Sequence, residues 1–591
     1  MKDKLQNFGR KWWKDIATVV FLFLAITILL MHYVDFEHMD MSIPFYYQGN
    51  DDLSSLVTAR LIQDSGWNFG TDELSYPDEY YSNTDEIIAG LHNTDILITK
   101  FFLVVTHGDV AKSVNLLYLS VFYMIAYVAY IVLRQLRVRE WLSAGGALVY
   151  AFLPFAFMRN VEHLTLTSYY FVPLAILMAV WIYEDEFFML PGKDFFRYKK
   201  NYAGLVMAFL IANEGIGYWQ IFACFYVFVA ALTGLIRNKD KSIIKRGLMS
   251  LAAIVFFVIL ACIPEFYTMM AKSSNGVEGR LRNIGNSEVY CLKIIQLFLP
   301  VNGHHIQALE DIIEDYNTGV PLINENQSSY LGIIGIIGFL FLLVWLFTNK
   351  KEDTPLKKRL NVLADMNICT LVLATIGGFG TIIFVLGIQI IRGYNRISVF
   401  IAFICIMAVC LLAEELAGNL KKMLYRTFYA IAIGLIMLLT IVEQNPETPI
   451  TYEENAEKWN SDAAFIQEIE TQLSEGAAVF QLPYVDYPES AGAYRMAPLS
   501  HYIGYIHSAR LKWSFGSMIG TETAEWYEQT AALDAKEMVT EIQKKGFSGI
   551  YIDRTGYEET QEKLLEMQLM ELLGDQPVIS EDGRLVFFKL K

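Results

Sequence analysis

The chain has 591 residues, of which 54% are hydrophobic and 19% are charged. Its mean hydropathy of +0.33 excludes an ordinary soluble enzyme and indicates a membrane protein. The net charge of −16 argues against nucleic acid as a partner, because a strongly acidic protein repels a polyanion.

Apolar runs recur along most of the chain. A helix needs about 20 residues to cross a bilayer core of about 30 Å. Eleven runs are predicted to cross, at about 17–34, 114–133, 140–157, 168–183, 201–214, 217–236, 247–264, 330–348, 366–390, 397–416 and 425–442. The sequence therefore predicts an α-helical polytopic protein of the cell membrane.

The first run follows MKDKLQNFGRKWWK, whose five basic residues place the N-terminus in the cytoplasm under the positive-inside rule. A cleaved signal peptide is the alternative. No small-x-small cleavage site follows the run, and the next segment, MHYVDFEHMD, is bulky and acidic. We therefore expect an uncleaved anchor.

Basic segments between later runs check this topology. Those at 134–139, 193–200, 237–246, 349–359 and 420–426 all fall on the cytoplasmic side, and eleven crossings place the C-terminus outside. The run ILITKFFLVV (96–105) would invert every later loop if it crossed. We expect it to be re-entrant or to lie along the membrane interface.

The chain divides into a membrane domain (1–442) and an exterior soluble domain (443–591). The membrane domain has two long outer loops, at 35–113 and 265–329, and long loops usually carry function. In the polar C-terminal part, the pattern predicts helices at 456–474, 522–545 and 556–573 and strands at 476–483, 548–554 and 584–590, which is an α/β fold. Asp553 and Arg554 are expected to form a structural ion pair there.

The C-terminal part has no glycine-rich phosphate loop, no G-x-S-x-G turn and no histidine-rich metal set. We therefore expect it to assist binding, and we look for chemistry at the outer membrane face. The stretch NDDLSSLVTARLIQDSGW (50–67) begins there with two adjacent acids, and its apolar residues follow helical spacing. A short amphipathic helix capped by Asn50 or Asp51 is the structural interpretation of these acids.

The same stretch resembles the first outer loop of the GT-C membrane glycosyltransferases, especially protein O-mannosyltransferases and aminoarabinose transferases. Their D-E-x-x-x-A-x-x-A-R-x-x pattern often ends in G-W. Here the acids, the A-R pair and the ending are matched by Asp51, Asp52, Ala59, Arg60, Gly66 and Trp67. The second acid is Asp rather than Glu, and Leu56 replaces the first alanine.

A second resemblance, to poorly characterised bacterial multi-span proteins of GT-C type, is carried by 158–174, 288–305 and 391–400. The two resemblances imply a GT-C-like fold with many spans, a long first loop and an exterior C-terminal domain. They also imply that Asp51 is the catalytic base, because it stands at the family's position for that carboxylate.

The chemistry itself sets the requirements of such a site. A sugar on a polyprenyl phosphate already carries a good leaving group, so the enzyme needs a base for the acceptor hydroxyl and cations for the phosphate. Asp52 would orient the acceptor or help to hold a divalent cation, and no further cofactor is predicted. The cations that the topology places outside are Arg159, Arg280, Arg282, Arg392 and Arg396.

These arginines have a second interpretation, namely contact with ordinary lipid headgroups. Four histidines also map outside: His92, His163, His304 and His305. The best placed is His163, four residues after Arg159 and beside Glu162, because residues four apart share one face of a helix. His304 and His305 could face a sugar or phosphate, although an ordinary surface role is the alternative for each histidine. A zinc site is not expected.

We therefore predict an inverting GT-C glycosyltransferase that moves a sugar from a polyprenyl-phosphate-linked donor to a cell-surface glycan, lipid or protein. One alternative is a flippase or transporter of lipid-linked glycans, which would need ionisable residues within its spans. Few are present there. The other is a non-catalytic subunit of a cell-envelope polysaccharide assembly, and mutation of Asp51 separates it from an enzyme.

Overall fold

A computed structural model describes residues 2–67, 70–81, 91–215, 217–264, 266, 284–321, 325–348, 351–389, 391–445, 450–488 and 490–591. The first half of the chain forms α1 (Lys2–Tyr33), α2 (Asp51–Ser65), α3 (Asn93–Val105), α4 (Val110–Gln135), α5 (Glu140–Ala151), α6 (Pro154–Arg159), α7 (Leu164–Thr167), α8 (Val172–Glu184), α9 (Lys199–Ala212), α10 (Tyr218–Asn238), α11 (Lys241–Ala261) and α12 (Ile284–Val289). Strands β1 (Gly70–Thr71) and β2 (Tyr80–Tyr81) pair in the first long loop.

The helices continue with α13 (Gln307–Gly319), α14 (Gly332–Leu346), α15 (Pro355–Ala374), α16 (Phe379–Val385), α17 (Ser398–Asn419), α18 (Met423–Glu443) and α19 (Tyr452–Gln472). The remainder contains β3 (Ala478–Leu482), α20 (Tyr502–His507), β4 (Lys512–Trp513), α21 (Glu522–Ala531), α22 (Ala535–Lys544), β5 (Phe547–Asp553), α23 (Glu559–Leu573), β6 (Val578–Ile579) and β7 (Leu585–Lys589).

Within the described residues, eight helical segments are long and apolar enough to cross a membrane. They are Trp13–Tyr33, Val110–Gln135, Glu140–Arg159, Leu164–Glu184, Tyr218–Asn238, Lys241–Ala261, Tyr394–Asn419 and Met423–Glu443, and each coincides with a predicted span. The protein is therefore a polytopic helical membrane protein, as the sequence predicts.

The count of eleven crossings is not confirmed. The run at 201–214 forms the 14-residue α9, and the run at 330–348 forms the 15-residue α14. The run at 366–390 is broken, because α15 ends at Ala374 and α16 begins at Phe379. The run at 96–105 lies in α3, whose 13 residues extend only about 20 Å at 1.5 Å per residue and so do not cross a bilayer.

The bundle has a buried centre and an apolar outer surface. Helix α8 is hydrophobic on all sides and packs against α4, α9, α10, α11, α15 and α17. Such a helix is stable only when it is enclosed. By contrast, α1 and α18 expose large apolar side chains such as Phe21, Phe23, Leu435 and Leu438, which suits contact with lipid.

At one end of the bundle, ion pairs connect neighbouring helices. Four of them join residues in or next to the basic segments that the sequence places in the cytoplasm: Arg134–Asp15 (2.8 Å), Arg139–Glu414 (2.7 Å), Arg237–Asp365 (2.6 Å) and Arg359–Glu184 (2.8 Å). The opposite end carries α2, the loop before α7 and the turn before α17. We call this opposite end the site face.

The described residues after 449 form the C-terminal unit, a five-stranded sheet with helices. The strand order is β4-β3-β5-β7-β6; β3 runs parallel to β4 and β5, whereas β7 is antiparallel to β5 and β6. Paired residues such as Phe480, Ile550 and Phe588 are buried in its core. The three predicted strands coincide with β3, β5 and β7, while the two-residue β4 and β6 are too short for a periodic signal.

Two local predictions in the C-terminal unit are wrong. The helix expected at 522–545 is two helices, because Asp534 caps α22 by accepting hydrogen bonds from the backbone N–H groups of Lys536 and Glu537. Asp553 and Arg554 do not pair with each other. Asp553 forms an ion pair with Arg584 at 3.1 Å, and Arg554 contacts Glu566 at 2.7 Å.

Candidate active site

The predicted helix at 50–67 is present as α2, and its two acids have different environments. Asn50 occupies the N-cap position, but its side chain makes no capping hydrogen bond. Gly66 ends the helix with a φ of +76°, a conformation that favours glycine. The burial of Leu53, Leu56, Leu61 and Ile62 fixes which face of α2 packs inward.

Asp52 is fully buried, and both of its oxygens accept backbone hydrogen bonds. Oδ2 accepts from the N–H of Gln48 at 2.7 Å, and Oδ1 accepts from the N–H of Asn50 at 2.8 Å. Burial raises the pKa of Asp52, while these N–H groups oppose the rise. Asp52 therefore closes a turn, and its expected part in orienting an acceptor or holding a cation stays a prediction.

Asp51 is oriented differently. Its side chain is 60% exposed, and Oδ2 lies 3.5 Å from Nδ1 of His163. The loop that carries His163 is joined to α2, since Ser55 Oγ donates a hydrogen bond to the carbonyl of Val161 at 2.9 Å. An accessible carboxylate therefore faces an imidazole from a different part of the chain.

Arg159 and His163 do not share a helix, contrary to prediction. Helix α6 ends at Arg159, and Asn160 has a φ of +34° that turns the chain away from helical geometry. The two residues are nevertheless linked, because the N–H of His163 donates to the carbonyl of Arg159 at 2.9 Å. A tight turn, rather than a shared helix face, therefore keeps Arg159 close to His163.

The charges at this opening act on one another. Burial lowers the pKa of His163, and the positive charges of Arg159 and Arg396 lower it further, against the opposite effect of Asp51. Burial also raises the pKa of Glu162, with smaller contributions from the charges of Asp52 and Asp51. The site face therefore brings together two accessible acids, one neutral imidazole and two guanidinium groups.

The segment IRGYNR supplies the second guanidinium. It forms a 3-10 turn, Tyr394–Ile397, that leads into α17, and the N–H of Asn395 donates to the carbonyl of Tyr290 at 3.1 Å. Arg396 is only 8% exposed and lies over the ring of Tyr218, 4.4 Å from its centroid. A Cβ at Gly393 would lie 2.9 Å from Arg396 Nε, so glycine leaves room for the guanidinium.

The other arginines of the prediction differ in burial. Arg159 is 4% exposed, and its guanidinium lies 5.4 Å from the centroid of the Phe155 ring. Arg392 is half-buried and lies 5.2 Å from the centroid of Tyr290. Arg280 and Arg282 lie outside the described residues.

One family model matches the sequence: Domain of unknown function (DUF6311), over residues 97–392, which is half of the chain. The chain belongs to this family. The DUF6311 region begins in α3 and ends within the segment IRGYNR, so it contains Arg159, Glu162 and His163. Asp51 and Arg396 lie outside it, and the site therefore combines residues of the DUF6311 region with residues on both sides of it.

Solved structures of membrane glycosyltransferases resemble this DUF6311 protein. The arabinofuranosyltransferase AftD from Mycobacteria is 11% identical with a TM-score of 0.50; the match covers 96% of this chain but 40% of AftD. The oligosaccharyltransferase of Archaeoglobus fulgidus is 11% identical with a TM-score of 0.42, covering 96% of this chain and 72% of the enzyme. ArnT from Cupriavidus metallidurans bound to undecaprenyl phosphate is 11% identical with a TM-score of 0.43, covering 97% of each chain.

The likeness to AftD shows a common fold, so the GT-C fold expected from the sequence is confirmed. This chain spans 40% of the length of AftD. No curated protein sequence matches the chain.

Two predicted histidines of the DUF6311 region lie in a separate cluster. His304 is buried, its Nε2 is 3.9 Å from Oε1 of Glu443, and Tyr330 donates a hydrogen bond to the same carboxylate. Burial lowers the pKa of His304. His305 is exposed. The 3-10 turn Glu325–Ser329, which directly precedes Tyr330, packs against both α6 and the turn Tyr394–Ile397 and so links the cluster to the site.

His92, just before the DUF6311 region, does not join the site either. It is buried at the start of α3, next to Asn93, which donates a hydrogen bond to Asn213 at 3.0 Å. Two buried acids nearby were not predicted, namely Asp95, which accepts a hydrogen bond from Tyr170 at 2.8 Å, and Glu214. Burial raises the pKa of Asp95 to about 7. A lone acid at the start of an apolar helix was the available sequence signal for Asp95.

Within the part of the chain that the structure describes, no three His, Cys, Asp or Glu side chains are placed to hold a metal ion. Two tyrosines also belong to the surroundings of the site: Tyr218 supports Arg396, and burial, together with the nearby Glu162 carboxylate, raises the pKa of Tyr46. Tyrosines are common at membrane interfaces, so their types alone carry no signal for a site.

Proposed function

We propose that the protein is a GT-C-type membrane glycosyltransferase that moves a sugar from a polyprenyl-phosphate-linked donor to a cell-surface acceptor. The observation that carries the proposal is the arrangement on the site face. An exposed carboxylate, Asp51, lies 3.5 Å from His163, and the charges of buried Arg159 and Arg396 act on the same imidazole. A base and phosphate-binding cations are the two requirements of this reaction.

The transfer is a single displacement. The Asp51 carboxylate takes the proton of the acceptor hydroxyl as that oxygen attacks C1 of the donor sugar. The new C1–O bond forms on the face opposite the phosphate, and the C1–O bond to phosphate breaks with its electron pair remaining on the polyprenyl phosphate. The configuration at C1 is therefore inverted.

The arginines stabilise the negative charge that the phosphate gains. Guanidinium groups bind phosphate in a two-pronged geometry, and the effect is stronger where water is excluded. Arg159 and Arg396 are both nearly buried, and each lies over an aromatic ring that restricts its movement. Arg392 is more exposed and suits the outer oxygens of the same phosphate.

His163 keeps Asp51 ready to act. Its lowered pKa means that the imidazole is neutral near pH 7, so it does not neutralise the carboxylate through a full ion pair. A neutral imidazole at 3.5 Å can orient the carboxylate while leaving its proton affinity available for the acceptor. Glu162 stands next to it as a second carboxylate for binding acceptor hydroxyl groups.

The fold shared with AftD supports the proposal, and ArnT is a protein whose solved structure contains undecaprenyl phosphate. We further propose that the site face is the exterior face of the cell membrane, with a cytoplasmic N-terminus and an exterior C-terminus. The boundaries are a membrane domain at 1–442 and an exterior domain at 443–591. A divalent cation, if one takes part, would be bound jointly with the donor phosphate.

The proposal is tested with purified protein and a panel of tritiated synthetic polyprenyl-phosphate hexoses and pentoses, incubated with lipid and glycan extracts of membranes. Wild type should release the label from one donor into an acceptor fraction, and Asp51→Asn should not. Glu522→Gln is the matched control, since Glu522 is an exposed acid that directly follows a helix N-cap in the C-terminal unit.

Two results would contradict the proposal. A folded wild type that consumes none of the donors would favour a transporter or a non-catalytic subunit. Alternatively, Asp51→Asn and Glu522→Gln could both transfer at the wild-type rate, which would remove Asp51 from the chemistry. Polyprenyl phosphate among the lipids that copurify with wild type, measured by mass spectrometry, is the expected supporting result.

A further inference from the structure

The position of Asp51 depends on a short turn that is closed by its neighbour. The two backbone hydrogen bonds from Gln48 and Asn50 to Asp52 fold residues 48–52 back on themselves. We call this segment the acid turn. Because Asp51 lies within the acid turn, whatever fixes this turn also sets the direction of the Asp51 carboxylate.

The acid turn is held from outside by the C-terminal unit. Leu499 N–H donates to the carbonyl of Gly49 at 3.1 Å, and Asn455 Nδ2 donates to the carbonyl of Phe45 at 2.8 Å. Gly49 has a φ of +87°, and a Cβ there would lie 2.7 Å from Oγ of Ser500. The chain therefore passes tightly against the C-terminal unit immediately before Asp51.

Tyr47 makes a further buried contact with the C-terminal unit. It is 1% exposed, and its hydroxyl donates to Oδ2 of Asp462 at 3.0 Å and lies 3.0 Å from Nε2 of His507. Its ring packs edge-on against Trp459, with centroids 5.1 Å apart. The residue that follows, Gln48, supplies one of the two N–H groups that bind Asp52.

Asp462 is itself rigidly placed. It is fully buried and paired with Arg584, which also contacts Asp553 at 3.1 Å and Asp582 at 3.3 Å. Asp462 lies in α19 and Asp553 ends β5, whereas Asp582 and Arg584 lie in the turn that leads into β7. A continuous series of contacts therefore runs from the sheet through Asp462 and Tyr47 to the acid turn.

We propose that Tyr47, held by Asp462, is a positioning residue through which the C-terminal unit aims Asp51 at the acceptor. The inference rests on the proposed transfer reaction. It gives the C-terminal unit a part in positioning the catalytic carboxylate, since none of the residues in this series touches the reacting atoms. A misplacement of about 1 Å can cost about a hundredfold in rate, so a loosened acid turn should reduce turnover strongly.

The test is Tyr47→Phe, which removes the hydroxyl and keeps the ring against Trp459. The matched control is Tyr505→Phe, since Tyr505 also donates an interface hydrogen bond, at 3.0 Å, but to Asp64 at the far end of α2. In Tyr47→Phe, kcat should fall by about tenfold to a hundredfold, while KM for the tritiated donor that wild type uses changes by less than about threefold. Tyr505→Phe should retain the wild-type kcat.

A second measurement needs no substrate. Hydrogen exchange of the full-length protein, followed by mass spectrometry, should show amides 48–52 exchanging about tenfold faster in Tyr47→Phe than in wild type or Tyr505→Phe. Equal loss of kcat in both variants would show a merely structural interface and overturn the inference, as would wild-type kcat or unchanged exchange in Tyr47→Phe. Failure of the proposed function is distinct, because it appears as a wild type that consumes no donor.

Discussion

Replacing Asp51 and Asp52 separately by asparagine should show which acid takes part in catalysis and which one stabilises the fold. Asp51→Asn and Asp52→Asn are the same chemical change at adjacent positions. Asp51 is 60% exposed and lies 3.5 Å from His163, whereas Asp52 is fully buried and accepts two backbone hydrogen bonds. We therefore expect Asp51→Asn to lose activity and Asp52→Asn to lose stability.

The magnitudes follow from these contacts. Hydrogen bonds to a charged group contribute roughly 1.5–3 kcal/mol each, and a buried N–H left without an acceptor costs about 1–3 kcal/mol. Asparagine at position 52 keeps one oxygen and turns an NH₂ group towards the other N–H donor, so Asp52→Asn should destabilise the protein by about 2–4 kcal/mol. Asp51→Asn should change stability by about 0.5 kcal/mol or less, because its side chain is largely in water.

The activities should run in the opposite order. Removal of a general base lowers the rate by roughly 10²–10⁴-fold, so Asp51→Asn should transfer sugar at that reduced rate with an unchanged melting temperature. Asp52→Asn should melt several degrees lower, and its remaining folded fraction should be more active than Asp51→Asn. Thermal unfolding and transfer from the tritiated donor are measured on the same preparations.

The reasoning fails if the two variants behave alike. Asp51→Asn with a melting temperature as low as that of Asp52→Asn would mean that Asp51 also holds the helix start. Wild-type transfer by Asp51→Asn would move the search for the base to Glu162 and His163, which face the same opening.

Three further predictions concern other parts of the molecule. Arg396→Ala should weaken binding of a synthetic polyprenyl phosphate by about tenfold or more, with partial recovery in Arg396→Lys, and an unchanged Kd would reduce Arg396 to a lipid-headgroup contact. Burial lowers the pKa of His507 to about 3. Below about pH 6.5 the unfolded chain therefore binds a proton at His507 that the folded chain does not bind. This difference should cost about 2 kcal/mol of folding stability at pH 5. The melting temperature of His507→Gln should accordingly depend less on pH than that of wild type. A cysteine at exposed position 494 should react with an impermeant reagent from outside and one at exposed position 353 should not; labelling of 353 would reverse the proposed topology.

The elements that the sequence predicts well are those with a strong local pattern. Eight of the predicted spans have apolar runs of sufficient length, and the burial of one face follows from their spacing. The break between α15 and α16 lies in an equally apolar run. There a Cβ at Gly378 would lie 2.5 Å from the carbonyl of Val372, and Gly377 has a φ of +69°, so the turn that follows the helix favours glycine at both positions. Hydropathy alone does not predict this break between α15 and α16, because the run stays apolar throughout.

In the candidate site, too, the sequence predicts individual residues but not their spatial arrangement. Asp51 could be found from its motif, and Arg159, His163 and Arg396 from their place at span ends. Their approach to one another depends on turns with local strain, such as Asn160 at a φ of +34°, and on packing between distant segments. The contact of Tyr47 with Asp462 joins residues 415 apart in the chain, and no periodicity in either segment predicts it.

The acid pair explains why the motif is informative although its two residues act differently. Successive residues on a helix point about 100° apart, so two adjacent acids at a helix start can face different environments when one side of the helix is buried. The burial of Leu53 and Leu56 turns Asp52 inward, where it closes the acid turn, and the same rotation leaves Asp51 facing His163. One carboxylate is available for chemistry because the other holds the backbone in place. The proposal that the C-terminal unit aims Asp51 extends this logic by one step, since Tyr47 fixes the turn that Asp52 closes.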